Sequence, residues 1–583
     1  MLLKETPLNG TTQFKEKQIV LQFDEYIQLD NVAENVLISP PQQHPPIVKA
    51  IGKRVVVTFE EDLLDSTTYT IDFGQAICDN NEKNSLGNYS FSFATGEYID
   101  SLAMFGHVYN AANLNPVRGV IVGVHSNLND SVFEKQVFTR IAKSDSSGHF
   151  GVLNLREGNY RIYALRDNSK DYIYQPSEAL AFTDSVYTPE LEIEMHIDSV
   201  SGDTLYEPYH VPEDITLMLF EEDKQRHYFM RVLRDKEQHY FTLLFSAKQD
   251  TLPVIRALRA ENELMQIDSI TGDTIWSDSA WVDFTKHARL QACPTNDTIV
   301  YWLLDSIAIG MDSIRFEMTY LKSDSLYNLV KQTDTILAVW REPRMSDKAR
   351  EKKRTDAINR KVTFKTNSSN KFDIYNNLTL FTETPLADWN TDCMHLMLKR
   401  DTSLVPVPFV LHTADESNMQ LKVEADLAAE QTYQFMIDSG AVHDIYGKIN
   451  MPYKVELKLR AIEEYATLTI QMAHYDPLAR IQIINEKDQV VREKSARPEG
   501  TKFEYLEAKS YYVRLYIDLD GNGQWTTGDW LKKRQPEPVY YLNKKITLRA
   551  NWDFEETFDH TITPAIEQKP KELRKIETGQ TKK

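Results

Sequence analysis

The sequence predicts an all-β protein, a tandem array of β-sandwich domains, on three observations. Apolar and polar residues alternate with period two in short runs, long amphipathic helical windows are nearly absent, and two segments each occur twice. The runs Gln18 to Phe23, Arg54 to Phe59, Thr68 to Phe73 and Tyr89 to Phe93 each read as a strand bounded by Gly, Asn, Asp or Pro. Short strands separated by turn residues are the pattern of sandwiches. The exception is the charged stretch Ser346 to Lys361, which reads as a short helix or a linker.

Self-similarity then divides the chain. The run Thr68-Tyr69-Thr70-Ile71-Asp72-Phe73-Gly74 through Asp79 recurs with one insertion as Thr432-Tyr433-Gln434-Phe435-Met436-Ile437-Asp438 through Asp444. Val20 to Glu25 is echoed by Leu378 to Pro385. A second pair, Leu155 to Asp167 and Leu506 to Asp518, aligns without gaps. An order of sandwich A then sandwich B is therefore present twice. The expected domains are A over 1–97, B over 98–205, a central β-rich domain over 206–345, a linker over 346–361, the second A over 362–461 and the second B over 462–560. A disordered, mildly basic tail follows over 561–583. Two shorter runs, 197–206 and 267–276, predict hairpins turning at Gly202-Asp203 and Gly272-Asp273. Sandwiches on short linkers predict a semi-rigid rod.

The 583 residues carry 66 basic and 86 acidic side chains, a net charge of -20, which disfavours nucleic acid and anionic membrane surfaces as partners. No apolar run approaches the roughly 20 residues of a membrane-spanning helix; the densest, Leu404 to Leu411, holds two prolines. Cys78, Cys293 and Cys393 lack the spacing of a disulfide framework or a zinc site. Met1-Leu2-Leu3-Lys4 leads directly into strand-and-turn pattern without a signal-peptide profile. Either the protein is cytosolic or the visible chain begins after its targeting segment, and the features below favour the second.

Several stretches resemble known families. Segment 6–97 resembles a bacterial Ig-like domain of the S-layer SbsA type, through Thr6-Pro7-Leu8-Asn9-Gly10, Val20 to Glu25, Thr67 to Ile71 and Phe91-Ser92-Phe93-Ala94-Thr95-Gly96. Segment 102–168 resembles a carboxypeptidase-regulatory-like, transthyretin-type sandwich, through Gly106-His107-Val108, Pro116 to Val120, Ser144 to Phe150 and Gly158 to Ile162. That module is not the peptidase domain, and no catalytic residue carries over. As a whole, 1–560 is similar to the Ig-like-domain lipoproteins of Bacteroidetes envelopes, whose members usually begin with a lipidated cysteine. The resemblance implies a cell-envelope location, outer membrane or periplasm, with membrane attachment only through a lipid anchor absent from this chain. Asp-Ser/Thr-aliphatic triplets such as Asp100-Ser101-Leu102 and Asp305-Ser306-Ile307 resemble O-glycosylation sites of such proteins, although the same pairs also open strands after turns.

One loop carries metal chemistry. In Asp518-Leu519-Asp520-Gly521-Asn522-Gly523-Gln524-Trp525-Thr526-Thr527-Gly528-Asp529, an EF-hand-like template takes Asp518, Asp520, Asn522, the Gln524 carbonyl and Asp529 as Ca2+ ligands, with Gly523 at the turn. The competing reading is a Gly-rich acidic hairpin without an ion. The repeat places Asp167, Ser169, Asp171, the Ile173 carbonyl and Glu178 in the same register, but Tyr172 replaces the turn glycine and Lys170 adds a positive charge, which favours a vestigial solvated loop. No His-Glu-x-x-His, Gly-x-Ser-x-Gly, Walker or dinucleotide fingerprint occurs. Adjacent carboxylates such as Glu60-Glu61 point to opposite faces of a strand. The expectation is a non-enzymatic envelope scaffold, calcium-stabilised, whose partners are envelope proteins or glycans. The alternative is a glycan-binding module using Trp525, Trp530 and Trp552, although core packing is the commoner use of such rings. A hydrolase within 206–345 ranks third. The sequence leaves the oligomeric state open.

Overall fold

The computed structural model describes the chain apart from 198–203, 259–264, 268–273, 277–282, 342–345, 347, 349–350, 352–359, 579–583 and the shorter gaps 88, 224–225, 235–236, 326, 369–370, 402 and 414–415. The fold is a tandem array of β-sandwiches. Alternation works as the sequence dictates: in Gln18–Phe23 the side chains of Ile19, Leu21 and Phe23 are buried, while Gln18 faces solvent.

The first A sandwich stacks a sheet in the order Leu2–Thr6, Gln18–Phe23, Arg54–Thr58, Ile47–Ile51 on a second of Leu37–Ser39, Thr68–Asp72 and Ser90–Ala94. Leu21, Val55, Ile71 and Phe93 meet between them. The second A repeats the plan. Its Leu378–Phe381 and Thr432–Ile437 take the places of Gln18–Phe23 and Thr68–Asp72, and the small ribbon Leu386–Trp389 with Val442–Asp444 takes that of Ile27–Leu29 with Ile77–Asp79.

The two B sandwiches share a more particular topology. The first has a three-stranded sheet, His149–Leu155, Leu102–Asn110 and Ile215–Leu219, whose last pair is parallel. The second has Thr501–Glu507, Tyr465–Met472 and Asp553–Phe558, again with the last pair parallel. Opposite lie four strands, Arg140–Lys143, Ile121–His125, Arg161–Leu165, Leu180–Phe182, matched by Val490–Ser495, Ala479–Ile484, Ser510–Ile517, Val539–Tyr541. The gapless repeat occupies the third strand of this sheet in each copy. Because Ile215, Leu217 and Leu219 belong to the first B core, that sandwich runs past the expected boundary between 205 and 206. Its closing strand follows a long ribbon, Glu190–Ile197 with Thr204–Val211, which hides the return from a linear reading. The expected Gly-Asp turn of this ribbon, that of the ribbon Met265–Ile267 with Thr274–Trp276, and most of the 346–361 linker lie outside the described residues.

Two expectations are corrected. The tail is ordered through Thr578: Ala565–Gln568 makes one helical turn, Lys571–Leu573 a 3-10 turn, and Glu577–Thr578 pairs in parallel with Val117–Arg118 of the first B sandwich. Nor is the chain an open rod. The second B sandwich packs against the first, with Leu114 buried in one cluster with Ile484, Tyr512, Tyr541 and the tail's Leu573. The tail escaped detection because it docks through single side chains rather than through an amphipathic face.

Candidate metal centre

The acidic loop leaves the end of the strand Ser510–Ile517. Gly521 and Gly523 adopt φ of 72° and 77°, the left-handed region open to glycine at least cost, and so wrap the chain around Asp518. Asp518 is 6% exposed; its Oδ2 accepts from Gly523 N at 2.9 Å, whereas its Oδ1 is buried and meets no donor among the described residues. A buried carboxylate oxygen without a partner is costly, which marks this position for an ion or a water.

Asp520 is exposed. Its Oδ1 accepts from Asn522 N at 3.1 Å, and its Oδ2 from Asn522 Nδ2 at 3.1 Å and Thr526 Oγ1 at 2.8 Å. The Thr526 hydroxyl, followed by the Asn522 amide, holds its pKa below the usual carboxylate value. The third acid is Glu537, 4% exposed, which accepts from Leu519 N at 2.6 Å and Thr526 N at 2.8 Å. Carboxylate oxygens of Asp518, Asp520 and Glu537 lie within 4.8 Å of one another, and this is the group of three candidate ligands found among the described residues. Oxygen donors of this kind suit a hard divalent cation such as calcium.

Of the template's acids, Asp518 and Asp520 lie together, whereas Asp529 lies outside this group. The Asp529 carboxylate accepts from Lys532 N at 3.1 Å and pairs with Lys532 Nζ at 3.3 Å, and its backbone closes a turn with Arg534. Asn522 and Gln524 build the turn: Asn522 Oδ1 accepts from Gln524 N at 2.6 Å, and its Nδ2 donates to Thr526 Oγ1 at 2.7 Å.

The duplicate loop explains the substitution. Asp167 Oδ2 accepts from Tyr172 N at 3.0 Å, as Asp518 Oδ2 does from Gly523 N, and Glu178 Oε1 accepts from Asn168 N at 2.8 Å, as Glu537 does from Leu519 N. Lys170 and Tyr172 adopt φ of 61° and 56° where Gly521 and Gly523 stand in the second copy. Glu178 and Glu537 are therefore the same position, each two residues ahead of the next strand, Leu180–Phe182 or Val539–Tyr541. Counting back from that strand locates Glu537, whereas counting forward from Asp518 leads to Asp529. In the first copy the oxygens are satisfied internally: Asp167 Oδ1 accepts from Ser169 Oγ at 3.2 Å and Lys170 N at 2.6 Å, and Glu178 Oε2 from Gln175 N at 3.2 Å. Asp171 turns to Ile173 N and Gln175 Nε2, at 3.0 and 2.8 Å. Burial pushes the Glu178 carboxyl above its ordinary value, the backbone amides opposing it.

The longer second loop also carries aromatic rings, and they face inward. Trp530 is 3% exposed in a pocket of the first B sandwich, with Phe133, Phe182 and Tyr163 at ring centroids of 5.1, 5.2 and 5.8 Å. Its N donates to Glu222 Oε1 at 2.7 Å and its Nε1 to Glu134 Oε1 at 2.6 Å. Gly528 is needed by close approach: a Cβ there would lie 2.4 Å from the Phe220 ring. Trp525 donates its Nε1 to the Glu537 carbonyl at 2.9 Å. Of the three C-terminal tryptophans, Trp552 alone is largely exposed, at 56%.

Residues 2–95 match the family model of a bacterial Ig-like domain. No curated protein matches the chain. Among solved structures, the major pilin subunit BcpA of Bacillus cereus aligns at 10% identity over 78% of this chain and 98% of its own, with a TM-score of 0.12. Domains 1–6 of the surface layer protein SbsC align at 11% identity over 93% of this chain and 68% of their own, with a TM-score of 0.13. A Bacteroides ovatus glucan-utilisation protein, SGBP-B, bound to a mixed-linkage heptasaccharide, aligns at 9% identity over 87% of this chain and 99% of its own, with a TM-score of 0.14. Scores this low carry no argument about the present chain. Its N-terminal sandwich is similar to the bacterial Ig-like domain, and the whole is an array of such β-sandwiches.

Proposed function

We propose that this protein is a non-enzymatic scaffold of the cell envelope, an array of β-sandwiches stiffened by calcium at the acidic loop that starts at Asp518. The observation that carries the reading is the closure of the array on itself. The polar and aromatic groups best placed for chemistry are spent on joining domains: Trp530 on Glu134 and Glu222, Glu577 on Asn110, Asn113 and Asn115, and Lys569 on Asp488. A body built this way holds its outer surfaces at fixed separations, which is what a platform for envelope proteins requires. The Ig-like match over 2–95 supports a surface or periplasmic setting. Fractionation of native cells is expected to place the protein in the envelope, and cross-linking there to recover protein partners. A purely cytosolic pool would refute the reading. Glycan binding is the second reading, resting on exposed Trp552 beside Arg549, whose guanidinium lies 5.7 Å from the ring centre. Array binding abolished by Trp552→Ala would promote it over the scaffold.

A further inference from the structure

We propose that Glu537, rather than Asp529, completes a divalent-cation site with Asp518 and Asp520, and that an ion there governs the docking of the Trp530 arm into the first B sandwich. This rests on the calcium reading above and adds to it a ligand and a consequence. The three carboxylates gather within 4.8 Å, and two of them, on Asp518 and Glu537, are over nine-tenths buried. The second, independent observation is Asp518 Oδ1, buried with no donor. Its counterpart Asp167 Oδ1, on the same backbone, is satisfied by Lys170 N and Ser169 Oγ. One copy of the loop therefore closes on its own amides, and the other leaves an oxygen open beside two more acids.

The arm between the site and its far end is rooted twice in the same carboxylates. Thr526 donates its N to Glu537 and its hydroxyl to Asp520, and Glu537 itself ends the arm. From that root, Thr527 Oγ1 donates to the Glu221 carbonyl at 2.7 Å, Gly528 lies against Phe220 and Trp530 enters its pocket. Mutual repulsion of three carboxylates spreads the root; a cation draws it together and sets the direction of the arm. Binding and docking are then linked, and the linkage is reciprocal: whatever factor calcium contributes to docking, docking contributes to calcium affinity.

The experiment titrates the full chain with calcium by calorimetry and follows hydrogen exchange of the peptide 526–537 with and without the ion. Glu537→Gln and the exposed-site variant Asp520→Asn are each expected to weaken binding about tenfold or more, and Asp529→Asn to leave it within about twofold. Calcium is expected to slow exchange across the arm, and Trp530→Ala to weaken calcium binding by the factor that calcium adds to docking. Thermal melts without calcium verify that each variant folds; Asp520→Asn removes an exposed side chain and keeps the test valid should Glu537→Gln unfold. Absence of calcium binding by the wild-type chain would overturn both this proposal and the calcium reading, while leaving the scaffold assignment to its own fractionation test. Binding retained in both Glu537→Gln and Asp520→Asn, or lost in Asp529→Asn, would overturn the ligand set alone. Binding without any change in arm exchange would overturn the coupling.

Discussion

His125 lies 3% exposed between Phe138 and Tyr163, whose ring centroids are 5.0 and 6.0 Å away, and its Nε2 meets no partner among the described residues. Burial pushes its pKa down from 6.5 to about 4. Between those values the unfolded chain binds a proton that the folded chain does not, so stability falls as pH drops from 6.5 toward 4 and levels off below. The full effect is at most about 3 kcal/mol. A series of melts over that window should show a shallower acid slope for His125→Gln than for the wild type; identical slopes would remove this account. Lys569 is the opposite kind of buried group, since all three of its N–H donors are used, on Asp488 Oδ2 at 2.8 Å, Asn115 Oδ1 at 2.7 Å and the Asn113 carbonyl at 2.6 Å. Burial lowers its pKa, with the Asp488 carboxylate opposing. Lys569→Met leaves Asp488 with Arg514 at 3.8 Å and is expected to cost about 3 kcal/mol, read as a lower thermal midpoint. None of this is visible in a run of Lys, Pro and Glu.

The loop arm and the tail both join the B sandwiches, and each works through few side chains. Trp530→Ala empties an aromatic pocket and is expected to cost about 3–5 kcal/mol at the contact between sandwiches, detectable as a separate, earlier melting step. Deletion of 565–583 removes Leu573, which is 1% exposed, and Glu577, whose carboxylate accepts from the side-chain amides of Asn110, Asn113 and Asn115. Proteolysis near Leu114 should then accelerate, and an unchanged digestion pattern would show the tail to be dispensable. The strands themselves were legible because alternation reports burial directly, as in Tyr240–Phe245, where Phe241, Leu243 and Phe245 face the core. The closing strand Ile215–Leu219 was misassigned for a physical reason: its pattern announces a strand, but parallel pairing with Leu102–Asn110 reaches back across more than 100 residues.

Closure determines the shape of the molecule. Sandwiches strung in a row would scatter as an extended particle, whereas contacts between the first and second B sandwiches bring distant parts of the array together. Small-angle scattering of the wild-type chain should therefore give a compact profile, and Trp530→Ala combined with deletion of 565–583 should raise the radius of gyration. An equal radius in the two proteins would mean that these contacts do not hold the body shut. Each B sandwich also leans on its own A partner. Ile141 N donates to Ser39 Oγ at 3.0 Å in the first unit, and Arg460 pairs with Glu507 at 2.9 Å in the second, so that closure brings two A–B pairs together.

By itself the sequence determined the all-β class, the duplication, and the first half of the acidic loop, because alternation, turn glycines and closely spaced ligands are properties of neighbouring residues. Tertiary structure alone decided that Glu537, and not Asp529, lies beside Asp518 and Asp520, that Trp530 is an anchor rather than a platform, and that the tail is a strap. The last two outcomes depend on groups 396 residues apart, as for Trp530 and Glu134, or 467 apart, as for Asn110 and Glu577. Separation on that scale leaves no periodic trace in a chain, since the free energy of such a contact comes from surfaces that exist only once each sandwich has folded.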